Sequence, residues 1–109
     1  MSTQNNETWL ELTSDDGHRL DVFEVAPAAP AESRGTVVVL QEIFGVNPHI
    51  QHMTRRLADA GYTAAAPALF DRRQKNVSLA YDAAGIARGK ELIAGIEMET
   101  ALRDVAAAV

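Results

Sequence analysis

VVVLQEIFGVNPH, residues 37–49, passes from a continuous β-branched run into a helix start. The run TVVVL at 36–40 has the pattern of a strand covered on both faces, as in parallel sheets. At Asn47–Pro48 two helix signals coincide. An Asn side chain can accept from the free amides of a first turn, and proline at the first helical position gives up an amide that would lack a partner anyway. Between strand and helix stands a carboxylate, Glu42, at the carboxyl end of a candidate parallel strand, where such sheets place their ligands; by position alone a solvated loop carboxylate, or one holding the helix entry through the first-turn dipole, is the commoner outcome.

Downstream, Ile50, Met53, Leu57 and Ala60 recur at helical spacing and predict the buried face of that helix, with Gly61 as its left-handed cap. YTAAAPALF at 62–70 returns to an extended run, interrupted at Pro67. Strand, helix and strand with short joints form a βαβ unit, whose crossover is expected to be right-handed. Upstream, TWLEL and LDVFEV each alternate apolar with polar residues around SDDGHR, which predicts an antiparallel hairpin turned at Asp16–Gly17. The segment APAAPAESRG at 26–35 reads as a surface connection. The expectation is a mostly parallel α/β sheet with an N-terminal antiparallel hairpin, residues 1–8 forming a disordered polar tail and 9–109 the domain.

Residues 71–90, DRRQKNVSLAYDAAGIARGK, carry charge and two isolated glycines and read as a surface excursion with a short helix near Ala80. From Glu91 the pattern tightens. Leu92, Ile93, Ile96, Leu102, Val105 and Ala106 predict one apolar stripe on a helix, and Glu99 to Arg103 is a favourable i, i+4 pair. The closing DVAAAV brings no glycine cap, basic last turn or polar loop, so the domain reads as cut rather than finished.

Composition narrows the function. A chain of 109 residues, 47% hydrophobic, suits one modest domain. Its net charge of −5, with scattered basic residues, gives no footprint for nucleic acid or an anionic membrane. With no cysteine there is no disulfide, thiolate metal site or cysteine nucleophile within these residues. The polar start and the lack of a long apolar run suggest a soluble, cytoplasmic protein.

Motifs are few. No Gly-x-Ser-x-Gly elbow occurs, and Ser2, Ser14, Ser33 and Ser78 fall in tail, turn, loop and helix-cap contexts. His49 and His52 are three apart on one helix, with no third ligand in view, so solvated histidines are expected and no metal site. His18 reads as exposed turn chemistry. Gly85 and Gly89 have a small-xxx-small spacing in a polar context, and Gly45 stands alone outside any dinucleotide fingerprint. Arg72 and Arg73 read as a solvated charge cluster.

QEIFGVN after an apolar strand, followed by LADAGYTAAAPALF and GIEMETALRDVAAAV, resembles the dienelactone hydrolase (carboxymethylenebutenolidase) family of the α/β-hydrolase fold. The resemblance spans nearly the whole chain but only the first part of that family's domain. It implies a partial α/β-hydrolase fold truncated before the nucleophile strand, with the Gly-x-Cys-x-Gly elbow, the acid and the histidine beyond Val109. The complete protein would cleave a small carboxylated lactone or ester by covalent acyl transfer, without a cofactor. The chain alone would be inactive and, if truncated, prone to self-association. By the same resemblance the Ile43 amide is an oxyanion donor, Glu42 takes the nucleophile's proton, and Arg88 is the candidate for holding the substrate carboxylate. Two other readings stand beside this one: a non-catalytic α/β module that assembles with another chain, and a flavodoxin-like half, which lacks its phosphate loop.

Overall fold

The structure, a computed structural model, describes residues 5–29 and 32–109. The expected hairpin forms from β1 (Asn6–Thr13) and β2 (Arg19–Ala26), with Trp9 opposite Phe23. Gly17, at φ +88°, takes the left-handed position of the turn. Residues 1–4 of the polar start lie outside the described residues, while Asn6–Thr8 already pair in β1.

β2 pairs antiparallel with β4 (Thr63–Pro67), and β4 pairs in parallel with β3 (Thr36–Val38), giving the order β1-β2-β4-β3. The α/β class and the antiparallel hairpin are as expected, and the parallel part of this mixed sheet is the β3–β4 pair. β3 is shorter than the TVVVL run. Val39 adds one more ladder bond to the Ala65 carbonyl, at 2.7 Å, before the chain departs. As an outer strand, β3 is also not covered as its sequence suggested: Val37 and Val38 are half-buried and Leu40 is 57% exposed.

Between β3 and β4 runs α1 (Pro48–Asp59), whose Asn47 cap accepts the Ile50 amide at 3.1 Å, with Pro48 in the first turn. Gly61, at φ +100°, donates to Ala58 O, and Tyr62 donates to Leu57 O, so the last carbonyls are satisfied in a Schellman closure. The buried row of α1 is Ile50, Thr54 and Ala58 rather than the expected Ile50, Met53, Leu57 and Ala60. Thr54 can be buried because its hydroxyl donates to the Ile50 carbonyl at 2.7 Å. This row meets Phe23, Val25 and Ala66 on one sheet face, while Leu20, Val22 and Ala65 on the other face pack with Leu12 and Ala107.

The C-terminal third departs from its sequence reading. A 3-10 turn at Leu69–Arg72 follows β4. The helix placed near Ala80 instead starts at Ala83, capped by Asp82 accepting the Gly85 amide at 2.7 Å, and α2 (Ala83–Ala94) runs through both glycines. The helix expected from Glu91 is divided, α3 (Met98–Ala107) starting after Gly95. A Cβ at Gly95 would lie 1.1 Å from a guanidinium nitrogen of Arg73, so that side chain occupies the break. The apolar stripe is only partly used: Leu92 is buried, but Ile93 and Leu102 are 52% and 59% exposed. The most buried position of α3 is Asp104, an ion-pair partner of Arg72.

Candidate active site: the loop between β3 and α1

The loop from Leu40 to Asn47 leaves the carboxyl end of β3 and is fastened by its own polar groups. Gln41 uses both ends of its amide, donating to the Glu42 carbonyl at 3.1 Å and accepting the Leu69 amide at 2.8 Å, which ties the loop to the segment after β4. Gly45 donates to the Glu42 carbonyl at 3.2 Å and turns the chain at φ +81°, a conformation that disfavours any side chain. The Gln51 side chain reaches back from α1 to the Val46 carbonyl at 3.1 Å.

A second set of contacts comes from residues 77–89. Leu79 donates to the Phe44 carbonyl at 2.9 Å, and Gly45 bridges to Ser78. The ring of Tyr81 meets Phe44 edge-on, with centroids 4.4 Å apart, while its hydroxyl accepts from the Asn47 amide at 3.0 Å. Gly89 of α2 is buried against Ile43. The supposed surface excursion is therefore a buttress of the loop.

Glu42 and Ile43 stand together at a cleft of about 190 Å³ with an otherwise largely apolar wall that includes Leu69, Phe70, Ile93 and Ile96. The Glu42 side chain is exposed, and among the described residues its carboxylate has no hydrogen-bond or ion-pair partner. Likewise, among the described residues the Ile43 amide donates to no oxygen. A free carboxylate next to a free backbone donor can take a proton and stabilise a developing oxyanion at neighbouring points. A cleft of about 260 Å³ lies elsewhere, lined by Trp9, Asp21 and Asp71 among others, and shares none of these groups.

The other residues singled out fall apart from the cleft. Arg88 is exposed on α2, paired with Glu91 at 2.8 Å and with Gln74, and does not line the cleft. His49 and His52 are exposed, and among the described residues no group of three or more side chains could hold a metal. Ser14 is buried, and Ser33 bonds Thr63 at 2.8 Å. Ser78 bridges to Gly45 instead of capping a helix, and Ser2 lies outside the described residues. His18 is half-buried with an enclosed Nε2 rather than an exposed turn residue, because it sits opposite Ser14 where the hairpin closes.

Arg72 is likewise no solvated charge. It binds Asp104 through two bonds of 2.8 Å and also holds Asp16. Both carboxylates hold its guanidinium firmly in the charged form, Asp104 contributing most. Sequence reasoning missed Leu79, Tyr81 and Gly89 as supports of the loop. The available signal was a helix tolerating two glycines four residues apart, which open helical positions do not favour.

The comparisons with known proteins bear on the family and the fold. The model of the dienelactone hydrolase family matches residues 20–109. Carboxymethylenebutenolidase of Pseudomonas putida is 32% identical over 102 residues, covering 92% of this chain and 42% of that protein. The "Putative carboxymethylenebutenolidase" of Synechocystis sp. is 46% identical over 56 residues, 51% of this chain and 23% of its own length. Among solved structures, a "Putative Dienelactone Hydrolase" from Klebsiella pneumoniae superposes with a TM-score of 0.79 at 28% identity, over 95% of this chain and 42% of that one. The fold is thus that of part of an α/β-hydrolase. The chain belongs to the dienelactone hydrolase family, and it spans less than half the length of these relatives.

Proposed function

We propose that Glu42 and Ile43 form the proton-accepting and oxyanion-binding part of an active site that hydrolyses a small carboxylated lactone or ester by covalent acyl transfer. The observation carrying this reading is an exposed carboxylate and a backbone amide, both without partners among the described residues, side by side at a largely apolar cleft. The nucleophile would be the cysteine that the family resemblance places on a Gly-x-Cys-x-Gly elbow outside these residues. Glu42 accepts the thiol proton, the thiolate adds to the substrate carbonyl, and the resulting oxyanion is held by the Ile43 N–H and a donor following the nucleophile. Collapse of that adduct expels the alkoxide, and water then hydrolyses the acyl-enzyme. The cation that the family resemblance offers for the substrate's carboxylate, Arg88, does not line the cleft, so it would serve only after leaving Glu91 and Gln74 and swinging toward it.

Glu42→Gln in the complete gene product tests the assignment, because it keeps the volume and removes the base. The expected result is a fall in kcat of about 10² or more with a nearly unchanged melting midpoint. Intact turnover would end the catalytic role. The 109-residue chain by itself should not hydrolyse activated esters above a buffer control, and a burst of product from it would contradict the reading.

A second reading, a non-catalytic α/β module assembling with another chain, draws on the outer edge of β3 and the exposed Leu40, Met98 and Leu102. Turnover by the complete gene product would decide against it.

A further inference from the structure

We propose that Gly89 is a positioning residue for the Ile43 amide, acting through a backbone contact that no other residue type could make. The inference rests on the reading of Ile43 as an oxyanion donor.

Glycine is a poor choice for the interior of a helix, and Gly89 lies well inside α2. A Cβ there would stand 2.2 Å from the Ile43 carbonyl oxygen and 3.0 Å from both the carbonyl carbon and the Cβ of Ile43. Because its nearest neighbours are backbone atoms, no rotamer change relieves the overlap. Either α2 or the Ile43 peptide must retreat by about 1 Å to restore ordinary packing. In this proposal the retreat falls to the loop. It follows a three-residue outer strand, while α2 carries the buried Leu92 into the cluster with Phe70 and Val77.

The neighbouring contacts act in the same direction. The Leu79 bond to the Phe44 carbonyl and the Tyr81 ring on Phe44 hold the residue after Ile43, while Gly89 holds Ile43 itself. Oxyanion stabilisation requires a donor within about 2.7–3.1 Å of the position the charged oxygen will occupy. A displacement of about 1 Å removes that bond in the transition state while leaving the cleft's apolar wall to bind substrate.

Gly89→Ala in the complete gene product, assayed with p-nitrophenyl acetate, is expected to lower kcat about 10²-fold with KM changed less than about threefold. A purely structural role would lower the melting midpoint without that split. Should Gly89→Ala fail to fold, Tyr81→Leu decides the matter. Tyr81 is 60% exposed, so losing its bond to Asn47 should lower the melting midpoint slightly without unfolding the protein, and loss of its ring from Phe44 should lower kcat about tenfold at steady KM. Unchanged kcat in a folded Gly89→Ala, or in Tyr81→Leu where that variant decides, overturns the positioning role. Glu42→Gln measured alongside separates the two claims. If it abolishes turnover while Gly89→Ala does not, the active-site reading stands and the positioning role falls; if it too is fully active, both fall.

Discussion

The guanidinium of Arg72 grips the buried carboxylate of Asp104 side-on, Nε to Oδ2 and Nη2 to Oδ1, each at 2.8 Å. Its remaining edge holds Asp16 at 2.9 Å, so one side chain joins the hairpin turn, the segment after β4 and α3. Asp104 is 1% exposed, and leaving its charge unpaired is costly. Arg72→Met should destabilise the protein by about 3–5 kcal/mol in chemical denaturation. Replacing Asp104 by Leu in the same chain should recover most of that loss, because the penalty lies in the orphaned charge. A double variant as unstable as the single one would contradict this account.

Acid should reach the same junction through Asp16. Hydrogen bonds, first from Arg72 and then from the His18 amide, hold this carboxyl down at about 2 instead of 3.8. A depressed carboxyl favours the fold while ionised, so its contribution is complete above pH 3.8 and disappears as pH falls through about 2. Melting curves of Asp16→Asn should lack that part of the acid limb.

Asp71 should show the opposite slope. Burial raises its carboxyl above 3.8, partly offset by the Asp21 amide and Lys75. The folded protein therefore keeps a proton that the unfolded chain has released, and stability falls as pH rises from 3.8 through the raised value. Asp71→Asn retains an acceptor for the Asp21 amide, now at 2.8 Å, and should flatten this decline. A parent and variant with parallel pH profiles would count against it.

Gly45 should tolerate no side chain. A Cβ would lie 2.2 Å from the Val77 carbonyl oxygen, and φ is +81°. Gly45→Ala should lower stability by about 1–3 kcal/mol, read from the denaturation midpoint. An unchanged midpoint would mean that the loop yields easily.

Asn47 serves as α1 cap and as donor to Tyr81 while only 1% exposed. Asn47→Ala should cost about 1–2 kcal/mol, and Tyr81→Phe, which removes one bond, about 1. Equal losses in the two would assign the whole effect to the Tyr81 bond rather than the cap.

The chain on its own should self-associate. The free edge of β3 lies beside Leu40, 57% exposed, and α3 shows Met98 and Leu102, 74% and 59% exposed. Sedimentation at concentrations on the order of tens of micromolar checks this, and a compact monomer would refute it.

What was legible in the sequence was local chemistry. Asn47–Pro48, Gly61 and Asp16–Gly17 each declare a cap or turn through their own backbone preferences, and all three occur as read. Glu42 and Ile43 could be placed at a strand's carboxyl end because the βαβ pattern fixes that end. Partners distant in sequence were not legible. Thr54 and Asp104 look like surface residues until the Ile50 carbonyl and Arg72 are known to meet them. Arg73 lies over Gly95, 22 residues later, and Gly89 packs on Ile43, 46 residues earlier. Neither fact has a periodicity.

Among the described residues β3 pairs with β4 alone, and β4 is made later. During synthesis Thr36–Val38 emerges with no strand to pair with until Thr63–Pro67 follows, and the loop after it lacks the Leu79 bond and the Gly89 contact until those residues appear. The hairpin needs none of this, because β1 and β2 are adjacent in the chain. In vectorial growth Glu42 and Ile43 thus leave the ribosome well before the residues that buttress them. A pause in translation before Leu79 and α2 have emerged would leave the sheet formed and the loop from Leu40 to Asn47 without its contacts to Leu79 and Gly89.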